Sequence, residues 1–321
     1  MPHSGRMRTI SLDGLGALIM EGRPFDRAEA DREGLRPQDV TDLLARGALR
    51  QPVRGVYLDD RVPDDLASRA ACLKLRLPPG AVVGRVTAAW IWGIDGRSPD
   101  QLHTPPPVEC IVPPGRQPLR RPGVRCYVAQ VGSEICEVGG IPVTTPVRTA
   151  LDTLRWLPPH MGLAIADALA AAGLVTRDGL LRRAHESPGV HGIARARRLA
   201  DLVEPRTESM GESWLRLRIV DAGFPRPTVQ IEIFDAAGRC VYRLDMGWEG
   251  ERLAVEYDGE AYHSAPDAVV RDGRRRDELE RIYGWRVLTV GKGEVLGTSP
   301  ALERAIGELL GREVRIRRRG W

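Results

Sequence analysis

The chain has 321 residues, with 47 Lys plus Arg against 43 Asp plus Glu for a net charge of +4, and 42% hydrophobic content. This composition excludes a disordered or fibrous chain, and the length fits about two or three domains. The charge is too small to require nucleic acid, although a pI near 8.9 leaves room for a locally basic face.

Only Lys74 and Lys292 supply amines; every other basic side chain is arginine. The cysteines Cys72, Cys110, Cys126, Cys136 and Cys240 are odd in number, widely spaced and without a C-x-x-C pair. Neither a disulfide framework nor a zinc module is therefore expected, which points to a reducing, cytoplasmic setting. No apolar run follows Arg6 and Arg8, and the most apolar stretch, Met161 to Val175, is short and interrupted by Asp167, so no membrane segment is predicted.

In chain order, Leu35, Val40, Leu43 and Leu44 fall on one helical face, Gly47 stops that helix, and Leu49 to Leu58 alternate around Arg50, Arg54 and Tyr57. Helix, glycine stop and basic ribbon are the ingredients of a winged helix over residues 1–60. In that fold Arg36, Gln38, Asp39 and Arg46 lie on or near the recognition helix, and Arg50 and Arg54 sit on the wing beside DNA phosphates. A small helical subdomain with a solvated charged face gives the same pattern.

Residues 61–205 carry mixed signals. Ala67 to Leu77 and Thr87 to Trp92 predict helices, Val108 to Val112 and Val124 to Val128 strands, and Met161 to Ala172 and Asp178 to His185 further helices, with prolines marking the loops. Trp90 and Trp92 read as core packing rather than a base-stacking platform. The histidines His103, His160, His185 and His191 lack ligand spacing.

Residues 206–321 have their own order: a helix over Glu212 to Ala222, strands over Thr228 to Phe234, Cys240 to Met246 and Arg252 to Tyr257, a charged helix from Arg271 to Tyr283, and a strand from Trp285 to Val290. Helix, three-stranded meander, helix and strand is an α/β sandwich plan. Alternation puts Val241, Arg243 and Asp245 on one face of their strand and Ala254, Glu256 and Asp258 on one face of the next. The turn-forming Gly247 to Glu251 makes the two strands antiparallel neighbours. A register with Asp245 opposite Glu256 and Arg243 opposite Asp258 fits; a shift of two residues has the same parity.

Opposed side chains start about 5 Å apart, so two carboxylates there repel unless a cation sits between them. Hard oxygen donors suit Mg²⁺ or Mn²⁺, whose work is to polarise a phosphodiester and activate water. Glu212, opening the preceding helix, and Glu208 can add a carboxylate, and His263 a proton-transfer group or phosphate contact. The plain alternative is a solvated acidic face, with Arg243 neutralising Asp258.

At these residues the chain resembles a known group. Asp245, Glu256-Tyr257-Asp258-Gly259, His263, the Arg-rich helix and Gly284-Trp285-Arg286-Val287-Leu288 are similar to the actinobacterial branch of very-short-patch-repair (Vsr)-like domains, of the PD-(D/E)XK or restriction-endonuclease-like superfamily, over about Gly211 to Leu296. The resemblance implies an endonuclease in which Asp245 and Glu256 bind Mg²⁺ or Mn²⁺ and Glu212 assists. Asp258 and His263 would complete the site, and Arg271, Arg274, Arg275 and Arg276 would face the phosphates. Asp258 stands where that superfamily usually has lysine, and arginine cannot replace lysine as a base.

A second resemblance covers roughly residues 10–200. Arg54-Gly55-Val56-Tyr57, the Thr87 to Gly93 segment and Val143 to Asp152 look like AbiEi-type antitoxins, which pair a winged helix with an α/β domain. It implies DNA binding, commonly as a transcriptional regulator of a toxin-antitoxin operon. Together the two predict an α/β multi-domain protein divided at about residues 60 and 205, with DNA and a toxin or DNA-repair protein as partners. The expected activity is Mg²⁺-dependent DNA cleavage; the competing expectation is a non-catalytic regulator or antitoxin that keeps the nuclease fold as a scaffold.

Overall fold

The computed structural model describes residues 22–97, 104–118, 121–259, 266–314 and 321, with 266–272 described at the backbone alone. His103, His263 and the basic tail from Arg315 to Arg319 lie outside the described residues. The fold is mixed α/β with three sheets. It groups into two compact units, Met1–Thr149 and Ala150–Trp321.

The first unit opens with β1 (Phe25–Asp26), α1 (Arg27–Arg32) and α2 (Pro37–Ala45), followed by the antiparallel strands β2 (Leu49–Val53) and β3 (Val56–Asp59). Asp26 caps α1 by accepting from the Glu29 N–H at 3.0 Å. Pro37 stands in the first turn of α2, where its missing N–H costs nothing. Gly47, at φ +68°, ends α2 as the sequence predicts. Phe25, Ala30, Leu35, Val40, Leu43 and Leu49 bury one shared core. Helix, turn, helix and hairpin follow in the order read from the sequence, with β1 pairing to β3.

Val53, Val56 and Leu58, on the hairpin, join a second core with residues further along the unit. That part comprises α3 (Leu66–Lys74), β4 (Val82–Val83), α4 (Arg85–Ile91), β5 (Val108–Val112), β6 (Val124–Val128), β7 (Ile135–Val138) and β8 (Ile141–Thr144). The strands form one sheet in the order β6-β5-β4-β8-β7, parallel at β5·β6 and β4·β8 and antiparallel at β4·β5 and β7·β8. Trp92 packs against this core and donates its indole N–H to the Thr144 carbonyl at 3.1 Å, the structural role expected of it. The short strands β4, β7 and β8 carry no clear periodicity and are not predicted by the sequence pattern.

The division between units falls within α5 (Pro146–Trp156). The second unit continues with α6 (Pro159–Ala171), α7 (Arg177–His185), α8 (Ile193–Asp201) and α9 (Met210–Asp221). Then come β9 (Thr228–Phe234), β10 (Cys240–Trp248), β11 (Leu253–Asp258), α10 (Pro266–Arg281), β12 (Arg286–Gly291), α11 (Lys292–Leu296) and α12 (Ala301–Leu310). The meander β9, β10, β11 is antiparallel and β12 adds parallel to β11, in the order β12-β11-β10-β9.

Both faces of this sheet are covered. Met246, Val255 and Val290 pack with Trp214, Leu215 and Ile219 of α9 and with Val295, Leu302 and Ile306. On the other face Ile231, Ile233, Leu244 and Ala254 pack with Leu279 of α10 and with Trp285. This is the sandwich predicted from the order of elements.

Helix α9 is the central element, buried over all of Gly211 to Ile219, arginines included. Arg218 donates to both Glu303 oxygens at 2.9 and 2.6 Å and to the carbonyls of Val295, Gly297 and Ser299, tying α9 to α11 and α12. Arg216, fully buried, reaches Asp167 of α6 at 2.5 Å, which also accepts from Ser213 Oγ and the Glu204 N–H. Each buried charge is thus matched, as burial of an ion requires.

Candidate functional site

The expected carboxylates do converge, on α9, β10 and β11. Ser209 caps α9 by accepting from the Glu212 N–H at 3.1 Å, which places Glu212 in the first helical turn, where an acidic side chain is favoured. Glu212 is buried, and its Oε2 accepts from the Glu208 N–H at 3.2 Å and from Gln230 Nε2 at 3.0 Å. Gln230 adopts φ +52°, a conformation L residues rarely take and one that clusters at sites holding a side chain in a set direction.

The β10·β11 ladder pairs Trp248 with Leu253, Gly247 with Ala254 and Met246 with Val255, so the next positions are Asp245 and Glu256. Of the two registers open to the sequence, this is the one that opposes the two acids. The strand reversal falls later than expected, because β10 continues to Trp248.

The strict alternation expected of β10 fails at Asp245. Leu244 packs under α10, whereas Met246 packs with α9, although they are two residues apart. Their partners across the strand pair, Ile231 and Val229, divide the same way around Gln230. A local twist at Asp245 and Gln230 therefore moves the chain from one face to the other, as bulge-like irregularities do. Backbone pairing to β11 ends there, and the Asp245 side chain takes over: its Oδ2 accepts from the Tyr257 N–H at 2.8 Å.

Burial pushes the Asp245 carboxyl up to about 6; the Tyr257 N–H opposes this, and the charges of Glu212 and Glu256 add to it. Glu256, 9% exposed, is closed by Arg275 of α10, which donates to its two oxygens at 2.7 and 2.6 Å. The same guanidinium lies 5.8 Å from the centre of the Tyr242 ring. Tyr242 in turn donates to Glu278 at 2.7 Å.

The structure corrects several expectations. A cation does sit against the paired acids, but it is a guanidinium of the chain itself. Arg275 turns inward to Glu256 instead of outward to a phosphate. Arg243 bridges Glu208 at 2.6 Å, and the β10·β11 ladder ends at Met246 and Val255, short of Arg243 and Asp258. Asp258 is exposed at the end of β11, beside Gly291 in the parallel register, so Lys292 leaves the sheet from the same end. Arg274 and Arg276 are exposed; the side chain of Arg271 and all of His263 lie outside the described residues.

A divalent ion bridging Asp245 and Glu256 needs open oxygens on both. Arg275 engages both Glu256 oxygens and Tyr257 one Asp245 oxygen, so a bridging Mg²⁺ or Mn²⁺ would have to compete with the Arg275 guanidinium for Glu256. Among the described residues no group of three or more His, Cys, Asp or Glu is placed to hold a metal ion.

In the first unit the expected DNA contacts separate. Arg36 is exposed but forks onto Asp39 at 3.0 and 2.7 Å, a contact that holds Asp39 down to about 2. Arg46, ending α2, and Arg54, in the hairpin turn, are exposed and form no ion pair among the described residues. The turn itself is held down, since the Arg54 N–H donates to the Pro106 carbonyl at 2.9 Å. Arg50 is half-buried and lines a cavity rather than an outer face.

Two proteins of Mycobacterium tuberculosis, uncharacterized protein MT2308 of strain CDC 1551 and uncharacterized protein Rv2248 of strain H37Rv, are each 31% identical to this chain over 254 residues. The shared segment covers 79% of this chain and 89% of theirs. The chain belongs to their family. Within this family member, residues 81–202 match the AbiEi antitoxin C-terminal domain. The match runs from β4 through α8, taking in the whole five-stranded sheet, and is shorter than the span expected from the sequence. The helix-turn-helix and hairpin lie upstream of it. Among the described residues no helix is long and apolar enough to cross a membrane.

Proposed function

We propose that this family member is a DNA-binding regulator of the antitoxin class, with a toxin protein as its partner. The single observation that carries this reading is a winged-helix plan placed directly ahead of an AbiEi-matched segment. Exposed Arg46 and Arg54 stand at the end of its second helix and in its hairpin turn, where they meet DNA phosphates. The C-terminal sandwich then serves as a scaffold, with Glu256 paired to Arg275.

Duplex DNA from upstream of the chain's own gene, titrated over a salt series, tests the proposal. Arg46→Ala with Arg54→Ala should weaken binding and lower the log–log salt slope by about two. An unchanged affinity and slope would retire it.

A second reading, Mg²⁺-dependent DNA cleavage, draws on the convergence of Glu212, Asp245 and Glu256. Supercoiled plasmid incubated with Mg²⁺ or Mn²⁺ separates the two. Nicking abolished by both Asp245→Ala and Glu256→Ala would favour the nuclease. Intact plasmid, or nicking that survives both substitutions, favours the regulator.

A further inference from the structure

Within the Met1–Thr149 unit lies a cavity of about 470 Å³, a size typical of small-molecule sites. Its walls include Leu44 at the end of α2, Leu49, Arg50 and Pro52 of β2, and Trp90 of α4, with Arg97 at its edge. The lining is mostly polar, with Arg50, Gln51, Asp64 and Arg97, and has apolar patches at Leu44, Leu49, Pro52 and Trp90. Asp64 also lines it, but that carboxylate is matched by Arg69 through two hydrogen bonds of 2.8 Å. Arg97 is held by Asp95.

Arg50 is the exception. Its Nη2 is shielded from solvent and has no hydrogen-bond partner, and its Nη1 reaches only the Asp60 carbonyl at 3.5 Å, the outer limit of such a bond. The shielded Nη2 leaves the guanidinium short of partners, and an anion that accepts from the weakly held Nη1 offsets part of that cost. Arg69 donates to the Trp90 carbonyl at 2.8 Å and lies 5.4 Å from the centre of its ring, which fixes the indole as a flat wall.

We infer that this cavity binds a small organic anion with a flat apolar body, such as an aromatic carboxylate. The carboxylate accepts from Nη1 of Arg50, in the field of Arg97, and the ring lies against Trp90, Pro52 and Leu49. Strand β2 is both a wall of the site and the first strand of the hairpin whose turn carries Arg54, so an occupant touches the element proposed to meet DNA. The site itself does not depend on that proposal.

Titration of the full chain with 2-naphthoate, followed by calorimetry, tests the inference, with the neutral isostere 2-naphthamide as control. Wild type should bind naphthoate saturably at one site and about tenfold or more tighter than the amide. Arg50→Met should remove that preference and leave amide binding unchanged, while Arg50→Lys, which keeps the charge but not the guanidinium, should retain part of it. Should Arg50→Met fail to fold, Arg97→Met, which weakens the positive field, should still cut naphthoate affinity without changing the amide. No saturable naphthoate binding at millimolar concentration, equal affinity for acid and amide in wild type, or a preference untouched by these substitutions would overturn it.

Discussion

Replacing Asp245 with Asn should stabilise the protein at neutral pH. The side chain sits in the sandwich with Glu212 and Glu256 as charged neighbours, and its carboxyl is raised from 3.8 to about 6. A carboxyl whose folded value exceeds its unfolded one binds protons more tightly in the native state. The native state therefore loses stability as pH rises between about 4 and 6 and carries the full penalty above that window. The rise to about 6 sets a ceiling of about 3 kcal/mol; because the carboxyl keeps some contact with water, ~1–2 kcal/mol is expected.

Asn keeps an oxygen for the Tyr257 N–H at no charge. Urea unfolding of wild type and Asp245→Asn from pH 4 to pH 8 should show a gain that is full above about pH 6 and gone near pH 4. A gain that grows on acidification, or a loss at pH 8, would refute the account. Adding Mg²⁺ or Mn²⁺ should leave the wild-type midpoint unchanged; a rise would show that an ion displaces Arg275 from the acids.

Three further substitutions probe the same architecture. Arg275→Met leaves the Glu256 carboxylate without its counter-ion and should cost ~2–3 kcal/mol, somewhat less than loss of a fully buried partner because Arg275 is 31% exposed. A Glu256→Gln partner should recover most of it, and simple additivity in that double-mutant cycle would count against the pairing. Arg218→Met orphans Glu303 and several carbonyls in the core and should cost ~3–5 kcal/mol by thermal or urea unfolding; a cost under about 1 kcal/mol would deny Arg218 its joining role. Gly211→Ala should cost ~1–3 kcal/mol, since an added Cβ falls 1.9 Å from Cε1 of the Tyr257 ring, and that cost should vanish in a Tyr257→Ala background.

Much of the C-terminal sandwich was legible because its strands are apolar and well punctuated: Thr228–Phe234 is predicted and observed with the same bounds. The opposition of Asp245 and Glu256 was legible as well, down to two registers. The switch of faces at Asp245 was not. It depends on Gln230 adopting positive φ, and glutamine carries no turn signal of the kind glycine or asparagine gives. The inward turn of Arg275 had a signal that adjacent arginines hid. Leu279 is the buried apolar residue among the described side chains of α10, and Arg275 lies one turn before it on the same face. Arg216 and Arg218 were hidden differently: arginine in a helix ordinarily faces water, whereas α9 is buried all round over Gly211 to Ile219 and takes its arginines inside with their partners.

The nature of the cation beside Glu256 decides what the sandwich can do. Two converging carboxylates demand positive charge, and a metal ion and a guanidinium meet that demand equally well as electrostatics. They differ in everything chemical. A divalent ion keeps open positions at which water can be bound and acidified, whereas a guanidinium has none and releases no proton near neutral pH. Tethered on α10, Arg275 forks onto both oxygens of Glu256. In this arrangement Glu212 ties α9 to β9, Asp245 ties β10 to β11, and Glu256 ties β11 to α10, through hydrogen bonds and one ion pair. On the reading proposed above, recognition belongs to the first unit, where exposed Arg46 and Arg54 border a helix, turn and hairpin and a cavity is walled by the same hairpin.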